Sequence, residues 1–565
     1  MTVTYSHIIV GGGPAGCVLA NRLSASGANQ VLLIEAGSDF QPGQEPEEIL
    51  DVYPYRAAFN PDYQWRDMNA SLMSTSADGA SRTPVKPYIQ PRVIGGGSSM
   101  NGEIGNRGLP ADYDEWAARG AEGWDWEGVL PYFRKLETDM DYDGPLHGNA
   151  GPISISRVMP GEWPGFTNAT MQAISAEGYH NIDDQNAVFK DGWFPMSLTT
   201  NRRSRSSAAM GYLDPSTRKR ANLTIRSRTK VDRVLFEGRR AIGVQAGEER
   251  ILARRVILSA GALESPAMLL RAGIGDIEQL QQAGIEVVHA LPGVGQNLHE
   301  HPSIAMSSWI RPGHRLGKTP RRHVQAAWRY SSALPDCGQG DMFMVVVAKS
   351  AWHPIGRRIG SLFSWINKPY STGWVRLNPD NPMARPEIAF QMLSDPRDME
   401  RMKLAVRRMW SLYCSREMQQ ASSDPFVATH GAMAKLVGSV NVRNWLMTLG
   451  PALLTEGPAS LRKMVIDRLF SSGVNIQQAL QDDAAMEEII RKHTIGGYHP
   501  SGTCRMGSAS DQGAVVSPID GAVHGIEGLH VIDASVMPCV PRANTNVPTT
   551  MVAEKLAEGL IRGMH

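Results

Sequence analysis

The short apolar run Ser6-His7-Ile8-Ile9-Val10 stops abruptly at Gly11-Gly12-Gly13-Pro14-Ala15-Gly16. A G-x-G-x-x-G turn in that position leaves the chain few options: it predicts a buried strand, a tight turn, a helix, and a second strand parallel to the first. The residues that follow agree. Ala15, Val18, Leu19 and Leu23 share one helical face, and Val31-Leu32-Leu33-Ile34 reads as the second strand, ending on Glu35. Gly11 permits the turn, Gly13 lets backbone approach a pyrophosphate, and Gly16 lets the helix pack closely on the strand. Pro14 and Ala15 open a helix whose N-terminus stabilises the anion. Glu35 and Ala36 stand about 20 residues on, where a carboxylate can accept from a ribose hydroxyl. The segment predicts dinucleotide binding and does not by itself choose between NAD and FAD.

A chain of 565 residues is too long for one ordinary core, so two domains are expected. Its 57 basic and 56 acidic residues leave a net charge of +1, which argues against a nucleic-acid binder. The basic clusters Arg202, Arg203, Arg205 and Arg218 to Arg220 read as solvated loop faces. Five scattered cysteines, never spaced CxxC, suggest neither a disulfide framework nor a zinc site. With no secretory leader and no apolar run of about 18 residues, a cytoplasmic protein without a membrane span is the expectation.

Strand and helix patterns alternate through the middle. Thr224 to Arg226, Val231 to Phe236 and Arg255 to Gly261 read as strands, and Pro266 to Arg271 begins a helix. From about 305 to 490 tryptophan and methionine become frequent. Strands are expected at 360–366 and 373–377, helices at 396–414 and across the apolar stretch 437–470, which reads as ordinary core, with a membrane-touching patch or an oligomer interface as the alternatives. The C-terminal part returns to strand, loop and helix, with Leu529 to Asp533 as the strand and a helix from Thr549.

Four separated motifs resemble one family, the glucose–methanol–choline (GMC) oxidoreductases. They are the glycine fingerprint running to Glu35-Ala36-Gly37, the segment Arg92 to Gly102 (RVIGGGSSMNG), the segment Gly261-Ala262-Leu263-Glu264-Ser265-Pro266 continuing to Gly275, and the pair His499 to Gly507 with Asn544 to Thr549. Ala272 departs from the pattern, standing where serine is usual. The resemblance spans essentially the whole chain. Asn367-Lys368-Pro369, Ser371 to Trp374 and Leu393 to Asp398 look most like the 5-(hydroxymethyl)furfural oxidase branch, with the pyridoxine 4-oxidases as neighbours.

The resemblance implies an α/β GMC fold: a Rossmann-like FAD-binding domain from 1–152, 220–302 and 493–565, and an α+β substrate domain (antiparallel sheet plus helices) from 153–219 and 303–492. It implies FAD contacts from the fingerprint residues, from Arg92, Gly97, Ser98, Met100, Asn101 and Gly102 of the flavin loop, and from Val231, Ala260, Asp533, Ala534, Asn546 and Pro548. Some family members attach FAD through a histidine just before the loop asparagine. Here that residue is Met100, so the FAD is expected to be non-covalent.

Removing hydride from an alcohol carbon requires that the hydroxyl proton also leave, and a neutral imidazole can accept it. His499 matches the family's catalytic histidine, with Gly496, Gly497, Pro500 and Gly502 shaping a turn around it. A single histidine among 15 is ordinarily a packed or solvated residue; the surrounding motif decides otherwise. Asn544 holds the second catalytic position, where an amide can donate to the substrate oxygen but cannot act as a base. Trp365, Ile366, Asn367 and Tyr498 are candidate substrate contacts, although Trp365 reads equally well as core. His299-Glu300-His301 follows the structural motif Gly293 to Leu298 and is not expected to bind metal; no metal is expected anywhere. Cys504 reads as packing.

The expected activity is oxidation of a primary alcohol, aryl or furanic, to the aldehyde and onward to the acid where its hydrate is accepted. The partners are the alcohol and oxygen or another electron acceptor, in a monomer or homodimer. The alternatives are a dehydrogenase passing electrons to a quinone, and a hydroxynitrile lyase that keeps FAD structurally. An NAD-dependent dehydrogenase leaves the flavin loop and the C-terminal motifs unexplained.

Overall fold

A computed structural model describes residues 5–73, 84–318, 321–428, 437–438, 440–471 and 476–563. Part of the expected turn-rich loop 72–87 and parts of the stretch 420–475 lie outside the described residues. The fingerprint builds the first layer as its pattern requires. Strand Tyr5–Val10 pairs in parallel with Val31–Ile34 on one side and Glu249–Leu258 on the other. Leu223–Arg226 extends the sheet beyond Val31–Ile34, and Leu529–Val531 adds beside Glu249–Leu258. The strands Arg233–Glu237 and Arg240–Ala246 turn back antiparallel on the far half of Glu249–Leu258, completing seven strands. Helix Pro14–Leu23 packs against the C-terminal helix Asn546–Arg562, so both chain ends close the same core.

The second layer is a seven-stranded antiparallel sheet. Its main path runs Ser422–Val427, Pro302–Ile310, Ile359–Ile366, Met342–Val347, Val324–Tyr330 and Gly192–Pro195, with Ile495–Gly496 pairing at the start of Pro302–Ile310. Pro302–Ile310 and Met342–Val347 are buried along their whole length; Met342–Val347 is accordingly an unbroken apolar run, while Pro302–Ile310 carries only small serines among its apolar residues. Helix Pro396–Cys414 lies on one face, with Met399, Met402, Val406 and Met409 at helical spacing in the core.

Chain segments cross between the two layers. Asn69–Met73 pairs with Glu387–Met392 in a four-stranded sheet, and Met68, Ala70, Met73 and Tyr88 belong to the second core. In the opposite sense, helix Ala208–Tyr212 packs on Pro14–Leu23, and Ala208, Tyr212 and Leu213 join the first core. Sequence order does not show such exchanges, because they are made by side chains that are apolar in either location.

Other expectations need correction. The helix expected from Pro266 begins at Gly261, with Pro266 inside it. Proline has no N–H to reach the carbonyl of Ala262, four residues back. The Thr503 hydroxyl takes that place, donating to the Ala262 carbonyl at 2.6 Å. The last helix starts at Asn546, three residues before Thr549. Arg205 is not solvated but fully buried, and Arg218 makes a two-pronged pair with Asp39 at 2.8 Å on each arm. The stretch 437–470 is not ordinary core: in helix Val442–Leu454 the buried positions are Asn444, Thr448 and Ala452, while Val442, Leu446 and Leu453 are exposed.

Replacing Thr503 with Val leaves the Ala262 carbonyl without its donor in a buried setting. The T503V holoenzyme is expected to lose about 1–3 kcal/mol in denaturant unfolding. An unchanged midpoint and slope would show that the hydroxyl does not support the helix.

Candidate active site

The cofactor cradle is made of backbone that has been cleared of side chains. Gly11 has φ +104°, and a Cβ there would fall 2.4 Å from the Ser259 carbonyl oxygen. A Cβ on Gly16 would fall 1.9 Å from the Gly11 carbonyl oxygen, so helix and strand can approach only with glycine there. The flavin loop folds over this turn, with Gly95 N–H donating to the Gly12 carbonyl at 2.7 Å. Around the positions where a Cβ on Gly13, Gly97 or Gly102 would sit there is open space. Gly13, Pro14, Gly97, Asn101, Ala260, Asn544 and Asn546 are half-buried among buried neighbours, and the Oδ1 atoms of Asn544 and Asn546 have no hydrogen-bond partner. Open backbone at a helix N-terminus, together with unspent acceptors, fits a dinucleotide carrying a flavin.

The two acids act first as braces. Glu35 accepts from Gly12 N–H at 2.8 Å and Gly37 N–H at 2.7 Å, and burial pushes its carboxyl above the ordinary range against those bonds. Asp533 accepts from Gly261 N–H (2.8 Å), the Ser265 hydroxyl (2.6 Å) and Ser535 N–H (2.8 Å), which locks the strand end to the helix after Ala260. Ala534 accepts from Gly502 N–H at 3.1 Å and so attaches the His499 turn to the same strand end. Val231 is buried, and Pro548 is buried in the first turn of the last helix. Arg92 is exposed, its guanidinium donating to the Ala36 carbonyl at 3.2 Å.

The flavin loop is held by Arg205, which the sequence reading took for a solvated residue, and by Arg322, which it did not single out. Arg205 donates to the side-chain oxygen and the carbonyl of Asn101, both at 2.9 Å, and to the Ser98 carbonyl at 3.2 Å. Arg322 donates to the Gly102 carbonyl and to Glu103, which also pairs with Arg205 at 3.1 Å. The Ser98 hydroxyl accepts from Ala208 N–H at 2.9 Å. The Asn101 oxygen is thus spent within the protein, leaving its amide NH₂ as the group free to donate. The Met100 side chain packs into an apolar cluster with Ile49, Ala57, Tyr63 and Val93.

His499 is 8 % exposed. Its Nε2 lies 2.8 Å from the Asn544 amide nitrogen and its Nδ1 lies 2.8 Å from Nδ1 of His301. An amide nitrogen only donates, so Nε2 is the acceptor and the ring's proton sits on Nδ1, directed at His301. Burial, and then the neighbouring His301, hold His499 well below the ordinary histidine range; burial likewise lowers His301 to about 3. Both rings are therefore neutral. The backbone around them is equally constrained: Tyr498 has φ +63°, and a Cβ on Gly497 would fall 2.8 Å from His499 Nδ1.

Glu300 holds this turn. Its carboxylate accepts from the backbone N–H of His499 (3.0 and 3.1 Å), the N–H of His301 (2.7 Å) and the Tyr88 hydroxyl. Burial nevertheless pushes its carboxyl up to about 7. Glu300 and His301 therefore belong to the candidate site, although the sequence reading only discounted them as metal ligands. Their one signal was position, directly after Gly293 to Leu298 and without an obvious packing role.

The candidate substrate contacts fall in different parts of the fold. Trp365 and Ile366 are consecutive on a strand and point to opposite faces. Ile366 is buried in the helix-side core and does not line a cavity with Trp365, which stacks on Phe343 with ring centroids 4.7 Å apart. Asn367 is fully buried and donates to the carbonyls of Gly340 and Arg542 at 3.1 and 3.3 Å, holding the loop before Asn544. Tyr498, beside His499, is 47 % exposed and packs on the buried Tyr88, which packs on the buried Phe390. Among the described residues, Glu137, Asp139 and His147 are close enough to hold a metal ion, but Arg107 and Arg157 already pair with the two acids. Cys504 is buried, and burial pushes its thiol well above the usual range.

Family models described as GMC oxidoreductase match residues 5–303 and 369–553. The chain belongs to the GMC oxidoreductase family. This GMC oxidoreductase is 42 % identical to the 5-(hydroxymethyl)furfural oxidase of Methylovorus sp. (strain MP688), covering 99 % of this chain and 98 % of that protein. It is 32 % identical to oxygen-dependent choline dehydrogenase 1 of Chromohalobacter salexigens, with 98 % and 94 % covered. Pyridoxine 4-oxidase from Mesorbium loti superposes over both full chains with TM-score 0.79 at 25 % identity, and a fungal aryl-alcohol oxidase shares the fold at TM-score 0.75 and 24 % identity. Family and fold make this an FAD-dependent oxidoreductase acting on alcohols.

Because Glu300 binds its proton more tightly in the folded chain than its ordinary value of 4.5, its contribution is fully present below about pH 4.5 and is lost as pH rises through about 7. Wild-type stability relative to Glu300→Gln is expected to fall by up to about 3 kcal/mol between those limits. Parallel pH–stability curves for the two proteins would remove Glu300 from this role.

Proposed function

We propose that this enzyme oxidises an aryl or furanic primary alcohol to its aldehyde, and onward to the acid where the aldehyde hydrate enters the same pocket, with oxygen as electron acceptor. The observation that carries this reading is the His499–Asn544 pair, one acceptor and one donor 2.8 Å apart at the edge of the cradle. An alcohol oxygen that displaces this hydrogen bond meets both groups it needs. Nε2 of His499 takes the hydroxyl proton, and the Asn544 NH₂ steadies the charge that develops on oxygen. His301 accepts the Nδ1 proton of His499 and so keeps the lone pair of Nε2 turned toward the substrate. Bound FAD supplies the hydride acceptor.

The exposed ring of Tyr498 beside His499 supports a planar substrate. The named activity of the Methylovorus relative supports a furanic one. The packed Met100 side chain, which offers no nucleophile, supports non-covalent FAD. Five free cysteines support a reducing compartment such as the cytoplasm. We read the domain division as 1–152, 220–302 and 493–565 against 153–219 and 303–492, modified by the exchanged segments around 68–88 and 208–213.

The deciding experiment mixes the purified yellow protein anaerobically with a panel of primary alcohols and then admits air. Bleaching by an aryl or furanic alcohol, followed by rapid recolouring and peroxide, is expected. Bleaching without recolouring would assign a different electron acceptor, and no bleaching by any alcohol would overturn the substrate class. His499→Ala is expected to keep the bound flavin and lose at least about 100-fold in kcat. Because His499 is held well below 6.5, kcat/KM should stay level as pH falls through 6.5. His301→Phe should bring a fall in kcat, with KM little changed, if His301 sets the tautomer of the base.

A further inference from the structure

Helix Val442–Leu454 is built inside out. Its buried positions, Asn444, Thr448 and Ala452, recur at every fourth residue and are small or polar. The opposite face carries Val442, Leu446, Leu449 and Leu453 at i, i+4, i+7 and i+11, with Trp445 beside them. Val442 is 75 %, Leu446 57 % and Leu453 59 % exposed, and Trp445 is 41 % exposed. A helix on a soluble surface turns its apolar stripe inward, and this one does the reverse. It is not loosely placed: Ala452 packs with Ile355 and Val465, and Glu456 just after the helix accepts from both Arg315 and Arg358.

The charge around the stripe selects its occupant. Residues 440–471 carry four cations (Arg443, Arg462, Lys463, Arg468) and two acids (Glu456, Asp467). Glu456 is held by two arginines and Asp467 by Lys463, while Arg443 and Arg468 are exposed and have no carboxylate partner among the described residues. A second copy of the chain would bring the same patch against itself, setting Arg443 and Arg468 near their own counterparts. An anionic lipid surface instead offers hydrocarbon for the stripe and phosphate for the cations. Among the described residues no helix is long and apolar enough to cross a membrane, so the contact is in the interface plane.

We propose that helix Val442–Leu454 seats this enzyme peripherally on an anionic membrane surface, its axis lying in the plane of the headgroups. Val442, Trp445, Leu446 and Leu453 enter the acyl boundary, and Arg443 and Arg468 meet the phosphates.

The test is flotation of the full-length holoenzyme with vesicles of phosphatidylcholine alone and of equimolar phosphatidylcholine and phosphatidylglycerol. Binding to the anionic vesicles is expected, weakened by added salt. The double variant Leu446→Ser, Leu453→Ser should cut the partition coefficient at least about tenfold while flavin content and turnover of a soluble alcohol stay unchanged. No binding of the wild-type protein to anionic vesicles would overturn the proposal. So would a concentration-dependent dimer in analytical ultracentrifugation that the double variant abolishes, since the stripe would then belong to a second copy.

Discussion

Two imidazole Nδ1 atoms 2.8 Å apart can coexist only if one ring donates a proton and the other accepts it, and burial keeps both rings neutral while they do so. The candidate active site depends on that condition. His301 fixes the Nδ1 proton of His499, and the Asn544 amide fixes the lone pair on Nε2, so the ring has one tautomer and one direction. Burial enforces it, because a charge on either ring would carry a desolvation cost, and no ring nitrogen of the pair is bonded to a carboxylate. Glu300, the one acid in the cluster, turns both oxygens to backbone N–H groups and the Tyr88 hydroxyl and braces the turn through His499 N–H.

The scaffold that delivers this arrangement comes from both ends of the chain. The His499 turn hangs on the strand end at Asp533–Val536, through Gly502 to Ala534 and Cys504 to Ser535. The same strand end is tied to the Gly261 helix by the Asp533 carboxylate, and the Thr503 hydroxyl mends the gap that Pro266 leaves in that helix. On the other side, buried Arg205 and Arg322 share Glu103 and hold the carbonyls of the flavin loop. Two buried guanidiniums on one carboxylate are costly, and hydrogen bonds to the carbonyls of Ser98, Asn101 and Gly102 offset part of that cost. The loop is therefore rigid where backbone must approach a planar ring.

Much of this was legible without coordinates, for identifiable reasons. The strand–glycine–helix start is local: Gly11 and Gly16 are required by contacts within a few residues, and the pattern reports them directly. His499 and Asn544 were recognisable from their motifs. The surface helix was misread because its composition matches a core helix, and composition carries no information about which way a face points. Arg205 was misread for the converse reason, since an arginine in a basic run looks solvated until its buried partners are known.

By itself the sequence determined the parallel first layer and the family, and it nominated His499 and Asn544 as the site pair, because short-range backbone geometry and the spacing of chemically distinctive residues carry that information. Only the tertiary structure decided the tautomer of His499, the roles of Glu300 and His301, the pinning of the flavin loop and the outward face of helix Val442–Leu454. Each of these depends on groups brought together from distant parts of the chain, and on whether water reaches them, which no local pattern encodes.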